Sequence, residues 1–363
     1  MKITDVQLEA LELPYKKPLI TATNQFYSSN GYLVSVESDS GHTGYGYIDV
    51  FPRTGETPAS VRCAIEEIMR PLLVGQPVEE LNRLNQLINF RMVDNRRAKG
   101  GVDMALYDLL GKCYGVPLYV LLGGLVRKEI TVIKMVSVGS PMEMARECRE
   151  LVGQGYRALK LKVRGEVGLD LARVTAVRDA VGPDIFIKVD ANEAFDAKSA
   201  IRMAAGMAEL GVSVFEQPLS RHHDVALAEV KAQSSIKIEA DQSASSVHEA
   251  FRLIRGNACD SINTGILKAG GVQQVRQITD MCALTGTECG LSNIAACMVG
   301  DAALLHVALS SPGVSEFCEI GECEGLTGDP FTGIQVVDGK LGVPEGPGLG
   351  VIRVDADSAR SVI

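Results

Sequence analysis

Five charged residues, Lys162, Asp190, Glu216, Asp241 and Lys268, follow one another at gaps of 28, 26, 25 and 27 residues, each at or just beyond the end of an apolar β-type run. Three carboxylates brought to one spot repel one another unless a cation lies between them. Their oxygen-only donor set, without His or Cys, suits Mg²⁺ or Mn²⁺ rather than zinc. The lysines at the two ends of the series read as bases, because an ammonium near a cation and a second ammonium has its charged form disfavoured. Two such lysines, facing opposite sides of one substrate carbon, can remove a proton α to a carboxylate and return one. The cation neutralises the charge that develops.

Each gap is the length of one strand plus one helix, and that periodicity says what must position the five residues. From about Lys128, short β runs alternate with amphipathic helices, and strands are expected at 130–138, 158–163, 185–190, 212–216, 236–240, 259–263, 287–291 and 314–319. Eight parallel strands with crossover helices, such as those expected at 141–154 and 169–181, imply a (β/α)8-type TIM barrel with its chemistry at the C-terminal strand ends. In it the second strand and the residue after the sixth lie on opposite sides, which places Lys162 and Lys268 across the acids. Before the barrel, strand periodicity at 6–13, 32–37 and 44–50, with turn signals at Ser29-Asn30-Gly31 and Asp39-Ser40-Gly41, gives way to helical periodicity at 58–73, 78–90 and 99–114. Strands first and helices afterwards suggest an α+β unit. The expected architecture is therefore α/β: an N-terminal α+β capping domain over 1–125, a barrel over 126–320, and a Gly/Pro-rich tail over 321–363 that returns across the first domain.

Bulk properties narrow the partner. A net charge of -9 and a pI near 5.2 argue against nucleic acid, whose binders need a basic surface. A small-molecule carboxylate is the expected substrate. No apolar run approaches the roughly 18 residues of a membrane span, and the N-terminus lacks the basic and apolar regions of a secretory signal. The nine cysteines fall singly, without CxxC pairs and in odd number, as reduced thiols in a cytoplasmic protein would.

Leu159-Lys160-Leu161-Lys162, Val189-Asp190-Ala191-Asn192, Phe215-Glu216-Gln217-Pro218, Glu239-Ala240-Asp241-Gln242-Ser243 and Leu267-Lys268-Ala269-Gly270-Gly271 stand in this order along the chain. Together with Tyr107-Asp108-Leu109-Leu110-Gly111-Lys112, Leu121-Leu122-Gly123-Gly124 and the closing Gly346-Pro347-Gly348-Leu349-Gly350, they resemble the enolase superfamily in its mandelate racemase/muconate lactonizing branch, in the two-lysine form of the muconate cycloisomerase-like subgroup. The resemblance implies Asp190, Glu216 and Asp241 as Mg²⁺ ligands and Lys162 and Lys268 as the acid/base pair. It also implies that Lys160 and Asn192 hold the substrate carboxylate. The first domain would form a lid, with the loop from Ile20 to Phe26, including Thr21 and Phe26, and the turn from Phe51 to Glu56 shaping the pocket. A homo-oligomer is implied as well.

Several positions depart from the family pattern. Gly44-Tyr45-Gly46-Tyr47 stands where relatives often show Gly-x-Gly-Glu, Glu193 where Gln is frequent, and Gln242 where Glu is frequent. Cys318-Glu319-Ile320-Gly321 lacks the Asp-x-Asp pair of many dipeptide epimerases, which disfavours a dipeptide. Ser292 and Asn293 offer polar groups to the pocket, and Glu319 can meet an ammonium or hydroxyl. The expected reaction is racemisation or epimerisation of an amino-acid or related carboxylic-acid derivative. The alternatives are a muconate-type cycloisomerase, a syn-dehydratase of a hydroxy acid, and a non-catalytic binding barrel.

Other signals carry no function. The closing glycine run has a Pro inside it and no helix after it, so it serves turns rather than a dinucleotide. His222 and His223 are expected at the surface, and His306 in the core.

Overall fold

The computed structural model describes residues 1–21, 24–51, 54–293 and 296–354. Strand β1 (Ile3–Ile20) pairs antiparallel with β2 (Gln25–Ser38), which pairs with β3 (Thr43–Asp49). The second turn signal turns: Gly41, at φ 80°, closes back on Ser38. The first does not. Ser29, Asn30 and Gly31 lie inside β2, opposite Leu13, Glu12 and Leu11. A Cβ at Gly31 would meet the Ile48 carbonyl oxygen at 1.8 Å, so this glycine admits a close strand neighbour instead of a reversal. The chain reverses between Thr21 and Asn24, whose backbone N–H and C=O join at 2.9 Å. Residues 22 and 23 of that loop, like 52 and 53 of the turn from Phe51 to Glu56, are outside the described residues.

The helical stretch expected at 58–73 is a helix over Pro58–Cys63 and another over Arg70–Leu73, joined by a π-helical segment, Ala64–Met69; its start is capped reciprocally by Thr57 and Ser60. Helix Leu81–Arg91 follows, then helix Arg96–Tyr114, which is buried from Arg97 to Gly111. This long helix lies directly on β3, since a Cβ at Gly46 would stand 1.9 Å from the Gly101 carbonyl oxygen. Its other side touches the helical turn Ile266–Ala269, which carries Lys268. The helix thus joins the sheet unit to the rim of the barrel.

The barrel consists of β4 (Glu129–Val136), β5 (Ala158–Lys162), β6 (Phe186–Asp190), β7 (Val214–Glu216), β8 (Lys237–Ala240), β9 (Ser261–Thr264), β10 (Glu288–Leu291) and β11 (Phe317–Cys318). They run parallel in chain order, and β11 returns beside β4. Bridges from Cys289 to Val314 and from Ser292 to Glu319 close the ring. Both faces of such strands are covered, so every residue of β5 is buried. Leu159 and Leu161 alternate there with Lys160 and Lys162, whose ammonium groups meet acids of other strands. The barrel interior near its mouth is therefore ionic.

After the barrel, β12 (Phe331–Thr332) pairs with β14 (Ile352–Arg353), and β13 (Lys340–Gly342) adds antiparallel to β4. Leu326 bridges Tyr15 of β1. Within the glycine-rich run, the Gly348 carbonyl accepts from Leu118 at 2.7 Å and Leu349 donates to buried Asp108 at 2.8 Å, which seats the run on the long helix. All nine cysteines are free thiols. No helix among the described residues is long and apolar enough to cross a membrane.

Candidate active site

Parallel pairing aligns Lys162 with Asp190 and Asp190 with Glu216, each on a neighbouring strand. Glu216 is level with Glu239, so Asp241, two residues on, shares the face of Glu239 one step nearer the mouth. Lys162 Nζ stands 2.5 Å from Asp190 Oδ2. Lys268 pairs with Asp241 and donates to the Asn263 carbonyl at 2.8 Å. Each lysine of the expected pair is thus held by a different acid of the expected ligand set.

Deeper in the barrel lies a second tier. Lys160 Nζ is 3.0 Å from Asp190, 2.8 Å from Glu216 and 2.7 Å from Glu319. Lys188 Nζ is 2.9 Å from Glu319 and 3.3 Å from Glu216, and it pairs closely with Glu239. Asn263 Nδ2 adds a hydrogen bond to Glu319 at 3.1 Å. Burial opposes the charge on both lysines, yet the surrounding carboxylates hold them well above the ordinary lysine value: Asp190, Glu216 and Glu319 for Lys160, and Glu239, Glu319 and Glu216 for Lys188. Burial likewise works against the Glu319 carboxylate, but Lys160 and Lys188 keep its pKa down at about 2. Glu319, expected to meet a substrate ammonium or hydroxyl, is already engaged by two protein ammonium groups.

One cavity of about 300 Å³ at the junction of the capping unit and the barrel mouth is lined by Lys160, Lys162, Asp190, Asp241, Lys268, Asn192, Ser292, Asn293, Glu319, Thr21 and Phe26. Glu216 lies beneath it, fully buried. Phe26 meets Phe51 edge-on at 5.1 Å, and Leu19, Met135 and Leu267 complete an apolar wall. Asn293 is tied to Asp301 and the Gly300 carbonyl, each at 3.0 Å. Asn192 donates to Asp190 while its Oδ1, buried, has no hydrogen-bond partner. Asn192, Glu193 and Gln217, just past the tips of β6 and β7, all have left-handed backbone, at φ 45°, 72° and 37°. Strain of this kind persists where surrounding contacts impose it. Glu193 is gripped by Arg221, and the Gln217 amide accepts from the backbone N–H of Asp241 at 2.9 Å and of Ser243 at 3.1 Å.

Among the described residues, the tightest group of carboxylates is Glu216, Glu239 and Glu319, with ligand atoms within 4.8 Å of one another. That differs from Asp190, Glu216 and Asp241. Two ammonium groups hold the deeper group together: Lys188 contacts all three of its members, and Lys160 contacts Glu216 and Glu319. Glu216 belongs to both sets. Its Oε2 is buried without a hydrogen bond and has the Lys188 ammonium at 3.3 Å, so it is an oxygen stabilised by nearby positive charge that a hard cation can also use. The residues present therefore fit Mg²⁺.

Sequence reasoning missed Lys188, Glu239 and Asn263. The period-2 rule marks the first two, since each precedes an expected ligand by two residues and shares its strand face.

Residues 3–123 match the sequence profile of the mandelate racemase / muconate lactonizing enzyme N-terminal domain, and residues 143–358 that of the enolase C-terminal domain-like family. The L-Ala-D/L-Glu epimerase of Bacillus subtilis is 31% identical over 97% of each chain. Muconate cycloisomerase 1 of Rhodococcus opacus is 30% identical over 98% of this chain and 97% of its own. The crystal structure of a dipeptide epimerase from Enterococcus faecalis, complexed with Mg and L-Leu-L-Tyr, superposes with a TM-score of 0.93 at 29% identity, covering 97% of this chain and 99% of that one.

Proposed function

The chain belongs to the mandelate racemase/muconate lactonizing enzyme family of the enolase superfamily, and from that premise we propose that it inverts a stereocentre α to a carboxylate, as a racemase or epimerase of an amino-acid derivative. It is an isomerase, as its relatives are. The observation that carries the reading is the arrangement of Lys162 on Asp190 and Lys268 on Asp241, two amines from opposite parts of the ring flanking Glu216. Lys162 Nζ takes or returns the α-proton on one face of the carbon, and Lys268 Nζ does so on the other. Lys160, at the cavity floor, meets the negative charge that develops on the substrate carboxylate. Asp190, Glu216 and Asp241 would hold Mg²⁺, or Mn²⁺ as a substitute, which when bound would supply Lewis-acid neutralisation of the same charge. Phe26, Thr21, Asn192, Ser292 and Asn293 shape the space around the substrate.

The residues from 1 to about 125 act as the cap and those from 126 to 320 as the catalytic unit, with the tail fastening one to the other. Free, singly placed cysteines support a cytoplasmic setting, and the family resemblance implies a homo-oligomer.

Exchange in heavy water tests the two-base assignment. The parent enzyme exchanges the α-proton of both enantiomers of its substrate, whereas Lys162→Ala and Lys268→Ala each lose exchange of one enantiomer by at least roughly 10²-fold. Undiminished exchange of both enantiomers by Lys162→Ala sinks the proposal. The muconate cycloisomerase relative supports a second reading, in which one lysine transfers the proton and the other stabilises charge. A product of unchanged mass with a new ring replaces inversion in that case.

A further inference from the structure

The deeper carboxylates have the makings of a metal site of their own. Glu216, Glu239 and Glu319 are all buried, and their ligand oxygens lie within 4.8 Å of one another. Opposite ligands of an octahedral ion at about 2.1 Å stand about 4.2 Å apart, so this group needs little adjustment to close around one. Asn263 stands among them. Its Nδ2 donates to Glu319 at 3.1 Å and reaches Glu216 at 3.4 Å, while its buried Oδ1 has no hydrogen-bond partner. Turned over, the same amide would offer that oxygen to a cation. The position is filled by Lys188, whose ammonium contacts all three acids and, among the described residues, is the one ammonium on Glu239. Lys160 shares Glu216 and Glu319 but directs its third contact to Asp190.

A route leads to this position from the far end of the barrel. A cavity of about 600 Å³ at the N-terminal strand ends, with Phe186, Val214 and Phe317 in its wall, reaches Lys188 and Glu239. Gly290 keeps its inner end open, since a Cβ there would stand 3.2 Å from Glu239 Oε1 and 3.8 Å from Lys188 Nζ. At its outer end Lys237 pairs with Glu288, each side chain 49% exposed. The deeper acids therefore have an approach from solvent that is separate from the cavity at the barrel mouth, and charge has to do what a wall of side chains does not.

We infer that Glu216, Glu239, Glu319 and Asn263 are a second metal-ligand set whose resident cation is Lys188, and that this ammonium confines the divalent ion to Asp190, Glu216 and Asp241. Lys188 is thus a positioning residue: it acts on the ion through the acids it occupies. Confinement matters because Glu216 belongs to both sets. An ion drawn down to the deeper one would leave the level of Lys162 and Lys268, where the proton is moved. The inference goes beyond the racemase reading and shares with it only the assignment of the upper ligands.

The test counts bound Mn²⁺ by paramagnetic resonance in the full chain. The parent binds one ion, and Asp241→Asn loses it. Lys188→Ala/Asp241→Asn leaves four carboxylates against three ammonium groups, the same surplus of one negative charge as the parent's five against four. It binds one Mn²⁺ again, roughly tenfold or more tightly than Asp241→Asn does. Adding Glu239→Gln removes that ion, and Lys188→Arg/Asp241→Asn, which keeps the cation, does not gain it. No gain of Mn²⁺ in the double variant, a gained ion that survives Glu239→Gln, or a second ion in the parent overturns the inference. So does a Lys188→Ala/Asp241→Asn protein that stays unfolded by circular dichroism with Mn²⁺ in excess, because an ion able to replace the ammonium restores the fold. A parent without bound Mn²⁺, beside a Lys188→Ala protein that binds it through Glu239, removes the metal from the function proposed above and leaves Lys188 in its role. One ion in the parent with no gain in the variants does the reverse.

Discussion

Lys188 shares its ammonium among Glu239, Glu319 and Glu216 at a depth where only 3% of the residue meets solvent. Ions so far from water are tolerable only when fully paired, and removing one partner leaves uncompensated charge behind. Lys188→Met is therefore expected to destabilise the protein by about 3–5 kcal/mol, read from urea unfolding midpoints. Adding Glu239→Gln to it should recover part of the loss. A Lys188→Met protein within about 0.5 kcal/mol of the parent would show that the deeper tier is not an ionic cluster in solution. Five carboxylates, Asp190, Glu216, Glu239, Asp241 and Glu319, here face four ammonium groups, those of Lys160, Lys162, Lys188 and Lys268. The acids that orient the two proposed bases are also two of the proposed metal ligands. Metal occupancy and base function are thus coupled through Asp190 and Asp241.

Elements hold this cluster in register. The last barrel helix, Met298–Ser310, is buried along nearly its whole length and carries His306, whose Nδ1 accepts from the backbone N–H of Tyr119 at 3.2 Å while its ring stacks on Tyr119 at 5.6 Å. Burial depresses the His306 pKa from 6.5 to about 4. Above pH 6.5 the group is neutral in both folded and unfolded chains. As pH falls from there toward 4 the unfolded chain takes up a proton that the folded one refuses, so stability is lost, by roughly 3 kcal/mol at the lower end. Asp103 and Asp301, raised by burial to about 6, act in the opposite sense over the same range. Comparing parent with His306→Gln cancels them: the stability difference should shift by roughly 3 kcal/mol against the parent between pH 7 and 4 in urea titrations, and a flat difference would refute the buried neutral imidazole. At this scale much was legible in the sequence. The eight barrel strands lie where alternating β and helical periodicities put them, because strands covered on both faces must be apolar on one side throughout. Ser29-Asn30-Gly31 misled because its glycine answers to a neighbouring strand, and no local pattern reports the approach of Ile48.

The whole molecule places the site between two units. The long helix Arg96–Tyr114 touches both β3 and the Lys268 turn, and the tail adds a strand to β4 while docking on Asp108. Cap and barrel therefore meet at the cavity, and a ligand bound there stabilises their union. Mg²⁺ at about 100 times its dissociation constant should raise the unfolding free energy by about 2.7 kcal/mol, reversed by chelator and absent in Asp241→Asn. Thermal unfolding that ignores Mg²⁺ would remove the metal from the proposal. What the sequence by itself determined is the barrel, the order of the five strand-end charges and the family, because strand and helix periods are local and chemistry at strand tips recurs once per βα unit. Only the tertiary structure decided how those charges pair. It drew Lys188 and Glu239 into the interior and filled Glu319 with two lysines, since each outcome depends on side chains from strands far apart in sequence sharing one low-dielectric space.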